Sequence, residues 1–261
     1  MMRVALFFVC IFSLSFSPFA EGFAKEKGGS KKAKTNLTID IAQDRVGITT
    51  NFSGAEVVVF GATTEVLRGA EIAAVLTGPE TSTIVRKKQP VLGMWLNQTS
   101  VEFPHVPHFY AYAVSTNEQN MADSEVLNQQ GIGINALHFE PADHDDLDIS
   151  PVFQESLIRL LQFRGQYPLQ AGQMQRLDEG LFRVNFKLPS NISTGIYTVR
   201  VFAFQKGKVV EKAEKIFVVE QVGISAEIRA FALNHSFMYA AVMLVMAIVM
   251  GLFSLWLSRR K

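Results

Sequence analysis

The sequence predicts a mainly β protein: an immunoglobulin-like antiparallel β-sandwich region with a helical insertion, followed by one C-terminal transmembrane helix. Three observations carry this reading. From Asn36 onward, short runs rich in Val, Ile and Thr recur at roughly ten-residue spacing, bounded by Gly, Asn, Asp or Pro. Helical periodicity shows only in a central stretch, so the strands do not alternate with helices as a parallel βαβ sheet requires. Finally, no residue from Phe237 to Leu257 is charged.

Residues 1–24 read as a signal peptide. Met1-Met2-Arg3 is a short positive region, Val4–Phe16 is apolar, Pro18 breaks the helix, and Gly22-Phe23-Ala24 has the small-x-small form of a cleavage site. The apolar core is too short to span a bilayer comfortably. Residues 25–35 form a Lys-rich linker, solvated in its simplest reading and suited to anionic headgroups in a second.

Residues 36–116 supply the first sandwich strands: 37–42, 45–50, 55–62, 70–79, 82–88 and the long run 94–115. Residues 117–172 form a helical insertion or connector. Its first part, 118–130, is polar and loosely helical. In 151–163, Val152, Phe153, Leu157, Ile158, Leu160 and Leu161 make one apolar stripe, with Ser150 as N-cap, Pro151 at the first helical position, and Gly165 and Pro168 ending the helix. Arg159 and Gln162 should face outward.

Residues 173–222 are late strands of immunoglobulin-like type. Phe182, Val184, Phe186 and Leu188 alternate with Arg183, Asn185 and Lys187, which predicts one buried and one wet face. A hairpin is expected at Gln205-Lys206-Gly207-Lys208. Gly195-Ile196-Tyr197-Thr198-Val199 resembles the corner of immunoglobulin-like domains, where a tyrosine hydroxyl bonds back to the chain two residues before a cysteine; here Val199 takes the cysteine's place.

As a helix, 237–257 is about 31 Å long and matches a bilayer's hydrocarbon core of ~30 Å. Arg259, Arg260 and Lys261 follow it. The positive-inside bias therefore places the 258–261 tail in the cytoplasm and the bulk of the chain across the membrane. Ala240, Ala247, Gly251 and Ser254 lie along one side of this helix and form a candidate packing seam, because small residues let membrane helices approach closely. Met243, Met246 and Met250 flank it with adaptable side chains.

Composition narrows the setting further. The one cysteine, Cys10, lies in the signal peptide, so the mature chain has no disulfide, which favours a bacterial periplasm over a eukaryotic surface. A net charge of +1 gives no field suited to nucleic acid. Candidate chemistry gathers in HFEPADHDDLD, where His138, Glu140, Asp143, His144, Asp145, Asp146 and Asp148 are metal-capable. Their spacing matches no dedicated metal loop, and acidic residues before a helix also complement its dipole. His105 and His108 point to opposite faces of an extended strand and would not share a metal. Trp95, Phe103, Phe109, Tyr110 and Tyr112 read as core and cover for the sandwich, with a ligand groove as the second reading. Arg86, Lys87 and Lys88 read as a solvated strand end. The mature chain has no cysteine nucleophile, Gly-x-Ser-x-Gly elbow, His-Glu-x-x-His or phosphate-binding Gly loop. Neither catalytic residues nor a cofactor are called for.

The stretches VGITTNFSGAEVVVFGA (46–62), VRKKQPVLGMWLNQTSVEFPHVPHFYAYAVS (85–115), LFRVNFKLPSNISTGIYTVRVFAF (181–204) and VVEQVGISAEIRAFALNHSFMYA (218–240) together resemble a family of alphaproteobacterial transmembrane proteins of unknown function. The resemblance runs from about Thr38 to the end. It brings no site residues. It implies a periplasmic accessory to a membrane transporter of the sulfite-exporter type. The expectation is thus a non-enzymatic interaction protein of the inner membrane, docked to a transporter or self-associated through its helix. The alternative is a periplasmic ligand- or metal-binding protein using the 138–148 loop or the aromatic strand 103–112.

Overall fold

The computed structural model describes residues 35–91, 93–143 and 147–258. The signal peptide, all but the last residue of the linker, three of the acidic-loop residues (His144, Asp145 and Asp146) and the terminal cations fall outside the described residues. The strands are β1 Leu37–Ile41, β2 Arg45–Ile48, β3 Ala55–Thr63, β4 Glu71–Thr77, β5 Glu80–Val91, β6 Met94–Pro107, β7 Tyr110–Val114, β8 Gly172–Asp178, β9 Leu181–Leu188, β10 Gly195–Gln205 and β11 Lys208–Gln221. The helices are α1 Glu118–Met121, α2 Ser124–Gln130, α3 Ser150–Phe163, α4 Ile224–Asn234 and α5 Ser236–Ser258.

Among the described residues, nine strands form one curled sheet in the order β1-β3-β9-β8-β7-β4-β10-β11-β2, and β5 pairs only with β6. Pairing is antiparallel except for β2 with β11 and β7 with β8. The curl brings β1 beside β11, where Lys215 Nζ lies 3.2 Å from Asp40 Oδ1 and Asn36 Nδ2 donates to Glu211 Oε2 at 3.4 Å. The concave side encloses a core in which Leu37 and Ile39 of β1, Val57 and Val59 of β3 and Val184 and Phe186 of β9 meet Val199 and Val201 of β10. As expected, β9 alternates buried Phe182, Val184, Phe186 and Leu188 with exposed or half-buried polar residues.

A second core covers the outside of the same sheet. Ala73 and Val75 of β4, Tyr110 and Tyr112 of β7, and Phe202 and Phe204 of β10 pack against α2, α3 and the base of β6. Two-sided burial explains why EIAAVLT and VFAF are continuous apolar runs rather than alternating ones. The β10–β11 turn sits where Lys206 and Gly207 have φ of 52° and 75°, the left-handed pair that a two-residue hairpin needs. The Tyr197 hydroxyl donates to Ser193 O at 2.9 Å, and its ring stacks on Phe217, so the corner is pinned as its sequence suggested.

Four details differ from the sequence reading. In α3 the cap position is Ile149, and Ser150 is the buried first helical residue. The buried stripe is Phe153, Leu157 and Leu161. Val152 and Leu160 are exposed because the helix rests on the sheet along the side centred near Leu157. Trp95 is 70% exposed instead of covering the core, because it sits near the tip of β5–β6, away from both cores. The run 94–115 breaks at His108-Phe109 into two strands, the first of which leaves the large sheet.

Candidate functional site

The most functionally informative feature is α5. Its 20-residue stretch Ser236–Leu255 has a mean hydropathy of 2.3 and none of it is buried. It is the one described helix long and apolar enough to cross a membrane. A stripe of leucine and valine this wide cannot remain in water, since each fully buried aliphatic side chain is worth about 1.5–3 kcal/mol. Ala240, Ala247, Gly251 and Ser254 are all exposed along it. A Cβ added at Gly251 would meet nothing within 4 Å, so the seam has no packing partner among the described residues.

The link to the sheet is short. Only Val222 and Gly223 separate β11 from α4, and only His235 separates α4 from α5. Gly223, at φ 98°, makes the first turn, and the Phe231 ring lies against His235 and Tyr239 at the second. Nothing in the periodicity singled out α4.

The acidic loop does not assemble a metal centre among the described residues. There, no group of three or more His, Cys, Asp or Glu side chains comes together. His138, Glu140, Asp143 and Asp148 are exposed. Beside this loop lies a groove of about 710 Å³, lined by Leu137, His138, Glu140, Gln154, Ile158 and Arg159 among others. Its Gln154 is already engaged, donating to Leu137 O at 2.8 Å and accepting from Phe139 N–H at 3.1 Å. Arg159 pairs with Glu155 at 2.7 Å. The Gln154 bonds clip residues 137–139 to α3, whereas the Arg159–Glu155 pair lies within the helix.

The two histidines diverge, though not as partners on one strand: His105 lies on β6 and His108 at the break before β7. His105 is exposed and pairs with Glu80 at 3.1 Å, whereas His108 is half-buried against the Gln166 amide at 3.1 Å. Burial, with the Arg164 charge nearby, holds the His108 pKa below the usual imidazole range. The aromatic strand is spent on packing. Phe103, Phe109, Tyr110 and Tyr112 are buried, Tyr110 Oη donates to Gly131 O and Tyr112 Oη to Glu118 Oε1, each at 2.8 Å. Burial pushes both phenols up, so they stay neutral donors. None of these four residues is more than 6% exposed.

Sequence reasoning missed the apolar tip of β5–β6. Met94, Trp95 and Leu96 are exposed there, and the clustering of large apolar residues around Gly93 was the available signal.

Among curated proteins, none matches the chain. The family model described as "Putative transmembrane protein (Alph_Pro_TM)" matches residues 36–260, which takes in all eleven strands and the apolar helix, and the chain belongs to that family.

Proposed function

We propose that this is a single-pass protein of the bacterial inner membrane, holding its β-rich unit in the periplasm as a non-enzymatic accessory to a membrane partner of transporter type. The observation that carries the reading is the apolar α5, none of whose Ser236–Leu255 stretch is buried, joined through one short helix to a well-packed β unit. A β unit whose tyrosines, glutamine clip and corner are committed to internal contacts is suited to presenting surfaces. The charge of Arg259, Arg260 and Lys261 supports a cytoplasmic C-terminus.

The partner would dock along Ala240, Ala247, Gly251 and Ser254, where small side chains allow close helix approach. Photocrosslinkers placed at Ala247 in native membranes should capture a polytopic membrane protein or a second copy of the chain. Gly251→Ile should weaken that capture without disturbing insertion, because isoleucine is apolar and a Cβ at this position meets no described residue within 4 Å. Val249→Ile should leave it unchanged. Equal capture by both variants would make the seam ordinary lipid-facing surface.

A further inference from the structure

The β5–β6 hairpin is too long for what it packs against. Val101, Phe103 and Val106 anchor its base in the second core, yet no described residue from Arg86 to Ser100 is buried. Six residue pairs, Arg86↔Ser100, Lys87↔Thr99, Lys88↔Asn97, Gln89↔Leu96, Pro90↔Trp95 and Val91↔Met94, continue beyond Val85↔Val101. A free β-ribbon exposing apolar side chains is a liability unless something covers them.

Two properties of the ribbon are segregated by height. At the tip, Met94, Trp95 and Leu96 are 61%, 70% and 45% exposed, with Pro90 and Val91 opposite them. Further down the shaft come Arg86, Lys87 and Lys88. There is no carboxylate between Thr81 and Val101. At ~3.3 Å per residue, the cations stand about 10–17 Å behind the tip pair. That spacing matches apolar side chains entering the headgroup–acyl boundary while cations remain at phosphate level, with Trp95 at the interface such rings prefer.

The hairpin also leaves the sheet from the correct end. β4 and β11 both pair antiparallel with β10, so they run in the same direction. Two backbone bonds between the connecting residues carry β4–β7 on to the base of β5–β6, from Gly78 N–H to Phe109 O and from His108 N–H to Pro79 O. The ribbon therefore begins at the edge from which β11 runs into α4 and α5. The 11-residue α4 spans roughly 16 Å, whereas the 12-residue β5 extends to roughly 40 Å.

We propose that the β5–β6 tip is a second membrane-contact site, in which Val91, Met94, Trp95 and Leu96 insert into the leaflet on the β unit's own side while Arg86, Lys87 and Lys88 bind anionic phospholipid headgroups. It holds the β unit against the bilayer at two points, the α5 anchor and the ribbon. The proposal rests on α5 spanning a membrane, and the chain's two tryptophans separate the two claims.

The full chain is reconstituted into vesicles of phosphatidylcholine and phosphatidylglycerol, with or without bromine on the acyl chains. In the Trp95→Phe variant, Trp256 reports on the anchor; in Trp256→Phe, Trp95 reports on the ribbon. Both should be quenched by brominated lipid, and Trp95 emission should shift to shorter wavelength. Replacing Arg86, Lys87 and Lys88 together by Gln should lower the ratio of inserted to free tip on the order of a hundredfold, which removes the Trp95 quenching and leaves Trp256 quenched. Vesicles of phosphatidylcholine alone should act like the triple variant. An unquenched Trp256 overturns the anchor. A quenched Trp256 with Trp95 water-exposed in anionic vesicles overturns the ribbon site alone. Trp95 shielded from aqueous quencher in native membranes but not in these vesicles would assign the tip to a protein partner and reject lipid.

Discussion

Tyr197 and His108 show how single side chains fix the geometry of the β unit. Tyr197 is wholly buried beneath the β10 corner, where its hydroxyl donates to Ser193 O. Tyr197→Phe keeps the stacked ring and leaves that carbonyl without its donor, so it should cost about 1 kcal/mol in chemical unfolding of the detergent-solubilised protein. His108 predicts a pH dependence. Its folded pKa lies below the unfolded value near 6.5, chiefly through burial, so the unfolded chain binds the proton first. Stability present above about pH 6.5 is therefore lost as the pH falls, until the folded imidazole protonates too. His108→Gln should flatten this part of the profile, measured as the denaturation midpoint from pH 8 to 5. An unchanged slope would show that the Gln166 contact has no linkage to protons.

At the level of elements, β9 is the plainest test of strand phase. Val184→Asp or Phe186→Asp would bury a carboxylate without a partner and should unfold the sheet, seen as loss of the cooperative transition. Lys187→Asp should fold. It would face Glu56 directly across β3, so a cost of roughly 0.2–1 kcal/mol is expected instead of strict neutrality. Equal tolerance at all three positions would put the strand in the wrong phase. β9, β10, β11 and α5 were legible because alternation, a Lys-Gly turn and an uncharged run each report local physics. β8 was not, since its GQMQRLD is exposed almost throughout and carries no apolar period. The flanks of the α3 stripe, Val152 and Leu160, also eluded the sequence, because periodicity gives a helix face but not how deeply it beds. Trp95 was misplaced for a related reason. Apolar character is the same in a core and at a lipid-facing tip, and only the topology tells them apart.

For the whole molecule, the β unit and the membrane helix follow each other with almost no slack. Two residues, one helix of 11 residues and His235 connect them. On the reading proposed above, this holds the β unit at the bilayer surface, within reach of partners for both the α5 seam and the β5–β6 tip. The central claim is that α5 crosses the membrane with its C-terminus in the cytoplasm and the β unit on the far side. A reporter active only outside the cytoplasm tests it most directly, fused in one case after Gly223 and in the other after Lys261. The account predicts activity from the first fusion and none from the second. The reverse pattern, or activity from both, would contradict it.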